Sequence, residues 1–138
     1  MSRDARILIV DDYEGMRGIL KEILDSMGIT KIKEATDGAE ALRLLAEAPF
    51  DLIICDWDMP GISGIELFQQ LKKSPKTRDI PFCMVTGMKD AEHVRHALKE
   101  GIRHYVIKPV ATDTFIKKIE SMLNPASSRD ATLVFEDC

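Results

Sequence analysis

Arg6-Ile7-Leu8-Ile9-Val10-Asp11-Asp12 is an unbroken aliphatic run that stops abruptly at two carboxylates, and Leu52-Ile53-Ile54-Cys55-Asp56 repeats the pattern further along the chain. Apolar residues at consecutive positions, not alternate ones, mark strands covered on both faces, which is the habit of parallel sheets. Working outward from these runs, five segments read as strands: Arg6 to Val10, Lys31 to Ala35, Asp51 to Cys55, Pro81 to Val85 and His104 to Ile107. Helical spacing fills the gaps between them. The first helix shows it in Met16, Ile19, Leu20, Ile23, Leu24 and Met27, with Gly28 as its C-cap. Asp37 and Glu40 stand at capping-box spacing before the second helix, and Ser63 and Glu66 before the third. A fourth helix is expected from Asp90 to Glu100, ahead of Gly101, and a fifth from Thr112 to Leu123, ahead of Pro125.

Five βα units of this length predict an α/β fold, a doubly wound, five-stranded parallel sheet with right-handed crossovers. The flavodoxin-like strand order 2-1-3-4-5 reverses between the first and third strands, so the residues at their carboxyl ends line the functional crevice. Residues 1–123 are read as one domain and residues 124–138 as a tail or linker. In that tail Pro125 to Ser128 has linker composition and Thr132 to Phe135 is β-prone. Disorder, a strand added to a sheet edge or a partner, and the start of an output segment are all compatible with it.

The chain has 138 residues, 19 Lys plus Arg against 23 Asp plus Glu, and a net charge of −4. That length suits one domain with a core that needs no staples. A mildly acidic chain without a basic run is a poor partner for nucleic acid. Its apolar stretches are too short to cross a bilayer, and the segment Met1 to Arg6 lacks the apolar stretch of a signal peptide, so a cytoplasmic location is expected. Cys55, Cys83 and Cys138 form no Cys-x-x-Cys pair, which disfavours a disulfide framework and a zinc site; the first two read as buried hydrophobes. His93 and His96 lie three apart on a helix, yet nothing completes a zinc set beside them, and they read as surface residues.

Asp11, Asp12 and Asp56 converge where the strand order reverses. Unpaired, they repel one another, so either one is protonated or a hard divalent cation sits between them; an open, oxygen-rich site suits Mg²⁺ better. The fourth strand ends in Thr86-Gly87 and the fifth in Lys108-Pro109, which adds a hydroxyl and an ammonium to the same crevice. A carboxylate, a metal, a cation and a hydroxyl are the parts that phosphoryl transfer uses, with Asp56 as nucleophile.

On Ile7-Leu8-Ile9-Val10-Asp11-Asp12, Asp56-Trp57-Asp58-Met59-Pro60-Gly61, Thr86-Gly87 and Lys108-Pro109, all in order on strand ends, the chain resembles the receiver domain of two-component response regulators, and within that family the CheY-like chemotaxis regulators. CheY is itself a standard instance of the 2-1-3-4-5 order, so order and resemblance are not independent. The resemblance covers Arg6 to Leu123. It implies that Asp56 accepts a phosphoryl group from a histidine kinase, that Asp11, Asp12 and Asp56 with the backbone carbonyl of Asp58 surround Mg²⁺, and that Lys108 and Thr86 contact the phosphoryl group. It also implies a cis Lys108-Pro109 bond and a switch in which Thr86 moves inward and Tyr105 rotates after it. The implied readout surface is the fourth helix, fifth strand and fifth helix, with Lys89, His93, Arg95, His96, Arg103 and Tyr105, where a downstream target docks. Asp58 and Met88 occupy the positions that set acyl-phosphate lifetime in the family, Asp58 orienting water and Met88 hindering it.

Three other readings compete. A haloacid dehalogenase-like aspartyl phosphatase shares the Asp-x-Asp of Asp56 and Asp58, but expects Thr or Val where Pro60 stands and places its paired acids after the Lys. A flavodoxin-like cofactor binder wants a phosphate-cradling loop where Asp11 and Asp12 stand. A pseudo-receiver, acting by binding alone, does not need the full set of acids, Thr86 and Lys108. The expected role is therefore a stand-alone receiver, a signalling domain that catalyses only its own phosphoryl transfer, since no output domain follows within this sequence.

Overall fold

The computed structural model describes residues 4–124 and 134–136. Its elements are β1 (Arg6–Val10), α1 (Glu14–Ser26), β2 (Lys31–Ala35), α2 (Gly38–Glu47), β3 (Leu52–Cys55), α3 (Gly64–Lys72), β4 (Phe82–Thr86), α4 (Ala91–Glu100), β5 (His104–Ile107), α5 (Thr112–Leu123) and β6 (Val134–Glu136). All strand pairs are parallel and the order is β2-β1-β3-β4-β5-β6. The first five strands stand in the order read from the sequence. The sixth, drawn from the β-prone end of the tail, extends the sheet beyond β5; the linker residues Pro125 to Ser128 and Cys138 lie outside the described residues. So do Met1 to Arg3 of the N-terminal segment.

Alternation along the strands sorts the core into two layers. Leu8, Val10, Ile53, Cys55 and Met84 face α2, α3 and α4, where Leu45, Leu67, Phe68 and Ala97 meet them. Ile7, Ile9, Leu52, Ile54, Cys83 and Val85 face α1 and α5, against Leu20, Leu24, Phe115 and Ile119. Burying each large aliphatic side chain stabilises by roughly 1.5–3 kcal/mol, which favours β1, β3 and β4 in the interior of the sheet. Cys55 and Cys83 are free and buried, in the role the sequence assigned them. Among the described residues, no helix is long and apolar enough to cross a membrane.

The helix ends refine the sequence reading. Ser63 and Glu66 close the full capping box of α3. At α2 only half of the predicted box forms: Asp37 accepts from the Glu40 amide at 2.8 Å, but the Glu40 carboxylate turns back to the amide and hydroxyl of Thr36. Ile19, counted in the apolar stripe of α1, is half exposed instead. Gly101, at φ 105°, ends α4 in the left-handed region that a side chain disfavours.

His104 opens β5 with its Nδ1 buried and, among the described residues, without a hydrogen-bond partner. Burial, reinforced by Lys118 and Arg103, holds its pKa down at about 4, from 6.5. The unfolded chain therefore takes up a proton below pH 6.5 that the folded one refuses, and stability falls as pH drops from 6.5 toward 4. His104→Leu is expected to lose less stability over that window, by about 2 kcal/mol at pH 4 after allowance for partial solvent access. Urea melts of both proteins at pH 7 and pH 4 check this; parallel losses contradict it.

Candidate functional site

Asp11 follows β1, Asp56 follows β3, Thr86 ends β4 and Lys108 follows β5, so four neighbouring strands deliver four polar groups to one end of the sheet. Ligand oxygens of Asp11, Asp12 and Asp56 all lie within 4.8 Å of one another. Asp11 and Asp56 are buried and Asp12 is exposed, which leaves the cluster open on one side. Lys108 Nζ donates to Asp11 Oδ2 at 3.0 Å and lies 3.4 Å from Asp56 Oδ2. The Lys108-Pro109 bond is cis, as the resemblance implied.

Each group is held from behind. The Tyr13 amide donates to Asp11 Oδ1 at 2.9 Å, and the Trp57 amide to Asp56 Oδ1 at 2.7 Å. Arg17 on α1 donates to the Asp11 carbonyl at 2.7 Å while its Nε meets Glu34 Oε1 at 3.0 Å, which ties the acid-bearing turn to β2. Burial pushes the Glu34 carboxyl up, but Lys21, which shares it at 3.0 Å, and Arg17 outweigh burial and hold it below its usual value.

The electrostatics show an acidic cluster short of positive charge. Burial raises the Asp56 pKa; Lys108 and the Thr86 hydroxyl counter it, Asp11 adds repulsion, and the net shift is upward. Burial alone would depress Lys108, but its bond to Asp11 and the charge of Asp56 hold it above its ordinary value. Hard carboxylate oxygens, one lysine among three acids and an open side together fit a divalent cation bound through oxygen.

Thr86 and Tyr105, which the resemblance implied as a switch, are both inward. Thr86 is buried beside Asp56 and its hydroxyl accepts from the Met88 amide at 3.3 Å. Tyr105 is only 1% exposed, with its hydroxyl donating to the Met88 carbonyl, so it is not part of the surface as the sequence reading placed it. Burial, then Asp90 and Asp56, push its phenol well above the usual value. Lys89, Arg95, His96 and Arg103 are exposed, and Met88 is partly buried against the α2–α4 side of the core. Asp58 is exposed, with its side chain outside the acid cluster.

Sequence reasoning missed Trp57. Its ring, 8% exposed, stands edge-on to His93 at 4.9 Å, His96 at 5.6 Å and Tyr105 at 6.5 Å, and so links the residue after Asp56 to α4 and β5. His93 is accordingly half-buried, not a plain surface residue, and its Nδ1 pairs with Asp90 at 2.7 Å. The bulky aromatic beside an acid was the available clue. Arg17 carried none, because an arginine on an amphipathic helix reads as solvated.

A sequence model of the response regulator receiver domain matches residues 7–120. The chain belongs to the response regulator receiver family. The chemotaxis protein CheY-3 of Vibrio cholerae is 33% identical over 122 residues, covering 88% of this chain and 94% of that protein. The chemotaxis protein CheY of Pseudomonas aeruginosa is 37% identical over 117 residues, covering 85% of this chain and 94% of that one. Among solved structures, Vibrio cholerae CheY4 matches with a TM-score of 0.80 at 28% identity, over 87% of this chain and 99% of that one. The signal receiver domain of a histidine kinase from Syntrophus aciditrophicus matches with a TM-score of 0.79 at 32% identity, over 86% and 89% of the two chains. This receiver is thus a homologue of the CheY chemotaxis regulators and a two-component signalling domain. The aspartyl-phosphatase and flavodoxin readings gain no support from these relatives.

Proposed function

We propose that this receiver is a phosphoacceptor switch in the cytoplasm, taking a phosphoryl group from a histidine kinase onto Asp56 and presenting the result to a target protein. The observation that carries it is the placement of Asp56 between Lys108 Nζ, at 3.4 Å, and the acids Asp11 and Asp12 at the sheet's switch point. An Asp56 carboxylate oxygen attacks phosphorus in line; the new O–P bond forms as the bond from phosphorus to the donor's nitrogen or oxygen breaks, and the electron pair leaves with the donor. Lys108 offsets charge on the phosphoryl oxygens, and the Thr86 hydroxyl, already beside Asp56, donates to one of them. Asp11, Asp12, Asp56 and the backbone carbonyl of Asp58 would hold Mg²⁺, which when bound would add further neutralisation of that charge. Arg17 holds the Asp11 turn in place. Asp58, exposed beside the site, orients the water of hydrolysis, and Met88 crowds its approach.

A new aspartyl phosphate carries about −1.5 to −2 charges in place of the single charge of the Asp56 carboxylate. It strengthens the Thr86 bond and thereby favours the inward Tyr105, whose hydroxyl anchors the loop before α4. The α4-β5-α5 face, with Lys89, Arg95, His96 and Arg103 exposed, is the proposed docking surface. Residues 1–123 form the receiver and residues 124–138 its tail.

Intact-protein mass spectrometry after incubation with acetyl phosphate tests the proposal. One Mg²⁺-dependent phosphoryl adduct is expected, absent in Asp56→Asn. Rapid phosphate release without an adduct would turn the reading back to a phosphatase, and no turnover would leave a pseudo-receiver.

A further inference from the structure

The family match ends at residue 120, and the CheY relatives cover 85–88% of this chain, yet the segment after α5 returns to the sheet. Val134–Glu136 pairs in parallel with β5, in the register His104↔Val134, Tyr105↔Phe135 and Val106↔Glu136. The Lys108 amide donates to the Thr86 carbonyl at 2.9 Å, toward β4. In a parallel ladder successive residues turn their N–H and C=O to opposite sides, so Val106 also faces β4 while Tyr105 and Ile107 face the outer edge. The residue opposite Phe135 is therefore Tyr105, the same one whose hydroxyl anchors the loop after β4. Its peptide groups form part of the only rung-bearing edge that β5 has free of β4.

We propose that the outer edge of β5 is a strand-docking site whose resident occupant is this chain's own Val134–Glu136. An open edge strand is a template for any extended segment, and a covered one is closed to such partners until the cover leaves. The occupant suits the place: Val134 and Phe135 are residues of high strand propensity, and all three residues Val134–Glu136 stand in parallel register with β5. A short tether from α5 keeps it at an effective concentration on the order of millimolar, while three residues of pairing leave it displaceable. On the reading that β5 belongs to the target-docking face, the segment is a tethered competitor of the target, which must be an extended, apolar strand to replace it. The pairing itself stands apart from that reading.

Amide hydrogen exchange on the full chain, without phosphodonor, tests this. In the observed register the Glu136 N–H points at the Tyr105 carbonyl; Glu136→Pro deletes that N–H, whereas Glu136→Ala keeps it. The Tyr105 and Ile107 amides are expected to exchange about tenfold faster in Glu136→Pro than in the wild type or Glu136→Ala. Val10 and Ile54 amides, on interior strands away from β5, report that the fold is intact by not changing. Equal exchange at Tyr105 and Ile107 in wild type and Glu136→Pro overturns the proposal. Protection that grows with protein concentration overturns it too, by assigning the edge to a second copy. Because no phosphoryl transfer is involved, a failure of Asp56 phosphorylation and a failure of strand docking are read separately.

Discussion

Gly64→Ala is expected to lower the melting temperature by about 8–12 °C and to slow phosphorylation of Asp56 by acetyl phosphate about tenfold. Gly64 is the first residue of α3, and its amide donates to the Trp57 carbonyl at 2.8 Å. A Cβ built there falls 2.1 Å from the Asp56 carbonyl oxygen and 3.0 Å from Trp57 Cα. Both are backbone atoms, so no rotamer change relieves the overlap. Either α3 lifts from the sheet, which loosens Ile65, Leu67 and Phe68 in the core, or the Asp56-Trp57 peptide moves and takes the carboxylate with it. Overpacking of this kind costs roughly 2–3 kcal/mol, and a domain of this size loses roughly 4 °C per kcal/mol. Gly18→Ala is the matched control: nothing lies within 4 Å of its Cβ in the middle of α1. Relief of backbone entropy there stabilises by about 0.5–1 kcal/mol. Thermal melts of the two variants that move in the same direction would refute the close-approach argument.

The contrast between these two glycines shows where sequence reading stops. Both sit in helices, and nothing in the local pattern separates them; only the approach of the α3 terminus to the chain after β3 makes one indispensable. The strands and helices were legible because their periodicity is local: consecutive aliphatic residues in β1 and β3, and Ser63 with Glu66 ahead of α3. The acid cluster was legible because strand order converts positions in the chain into neighbours, bringing Asp11 to Asp56 across one sheet pairing. The Glu40 carboxylate went elsewhere because Thr36 offers it both an amide and a hydroxyl, a choice that spacing does not encode. Tyr105 was expected on the readout surface because the family resemblance implied it, although it stands in the apolar run Tyr105-Val106-Ile107. Its burial follows from a tertiary fact, the Met88 carbonyl that its hydroxyl meets. Trp57 likewise acquires its contacts with His93 and His96 only once α4 packs beside it. Long-range contacts of this kind are properties of the folded sheet that no window of sequence holds, whereas the β-prone run Thr132 to Phe135 already allowed an added edge strand, and the pairing of Val134–Glu136 with β5 selects that alternative.

Lys108→Ala is expected to cost about 3 kcal/mol of folding stability at pH 7 in the absence of Mg²⁺ and to slow phosphorylation of Asp56 by roughly 100-fold. The lysine is bonded to Asp11 at 3.0 Å and lies 3.4 Å from Asp56, with both carboxylates at least nine-tenths buried. Removing it leaves two acids facing each other without the cation that bonds them, and breaking a buried pair costs more than the pair's net worth. The deficit has a pH signature. Asp56 already stands above its ordinary 3.8 because of burial, and loss of Lys108 raises it further. An acid with a raised folded value destabilises as pH climbs from its unfolded value through its folded one, so variant and wild type converge near pH 4 and separate above it. Lys108 itself stands above 10.5, so its contribution is complete below pH 10.5 and disappears as pH rises through the folded value; the curves close again there. Mg²⁺ divides the two roles of the lysine. A divalent ion among Asp11, Asp12 and Asp56 replaces the missing positive charge, so its addition should stabilise Lys108→Ala more than the wild type. It cannot supply the ammonium that meets the phosphoryl oxygens, so phosphorylation should stay slow at saturating Mg²⁺. Urea melts across pH with and without Mg²⁺, together with adduct formation by mass spectrometry, measure both. Recovery of stability and rate together would reduce Lys108 to a counter-ion, and a rate deficit that persists after stability is restored gives it a part in the transfer itself.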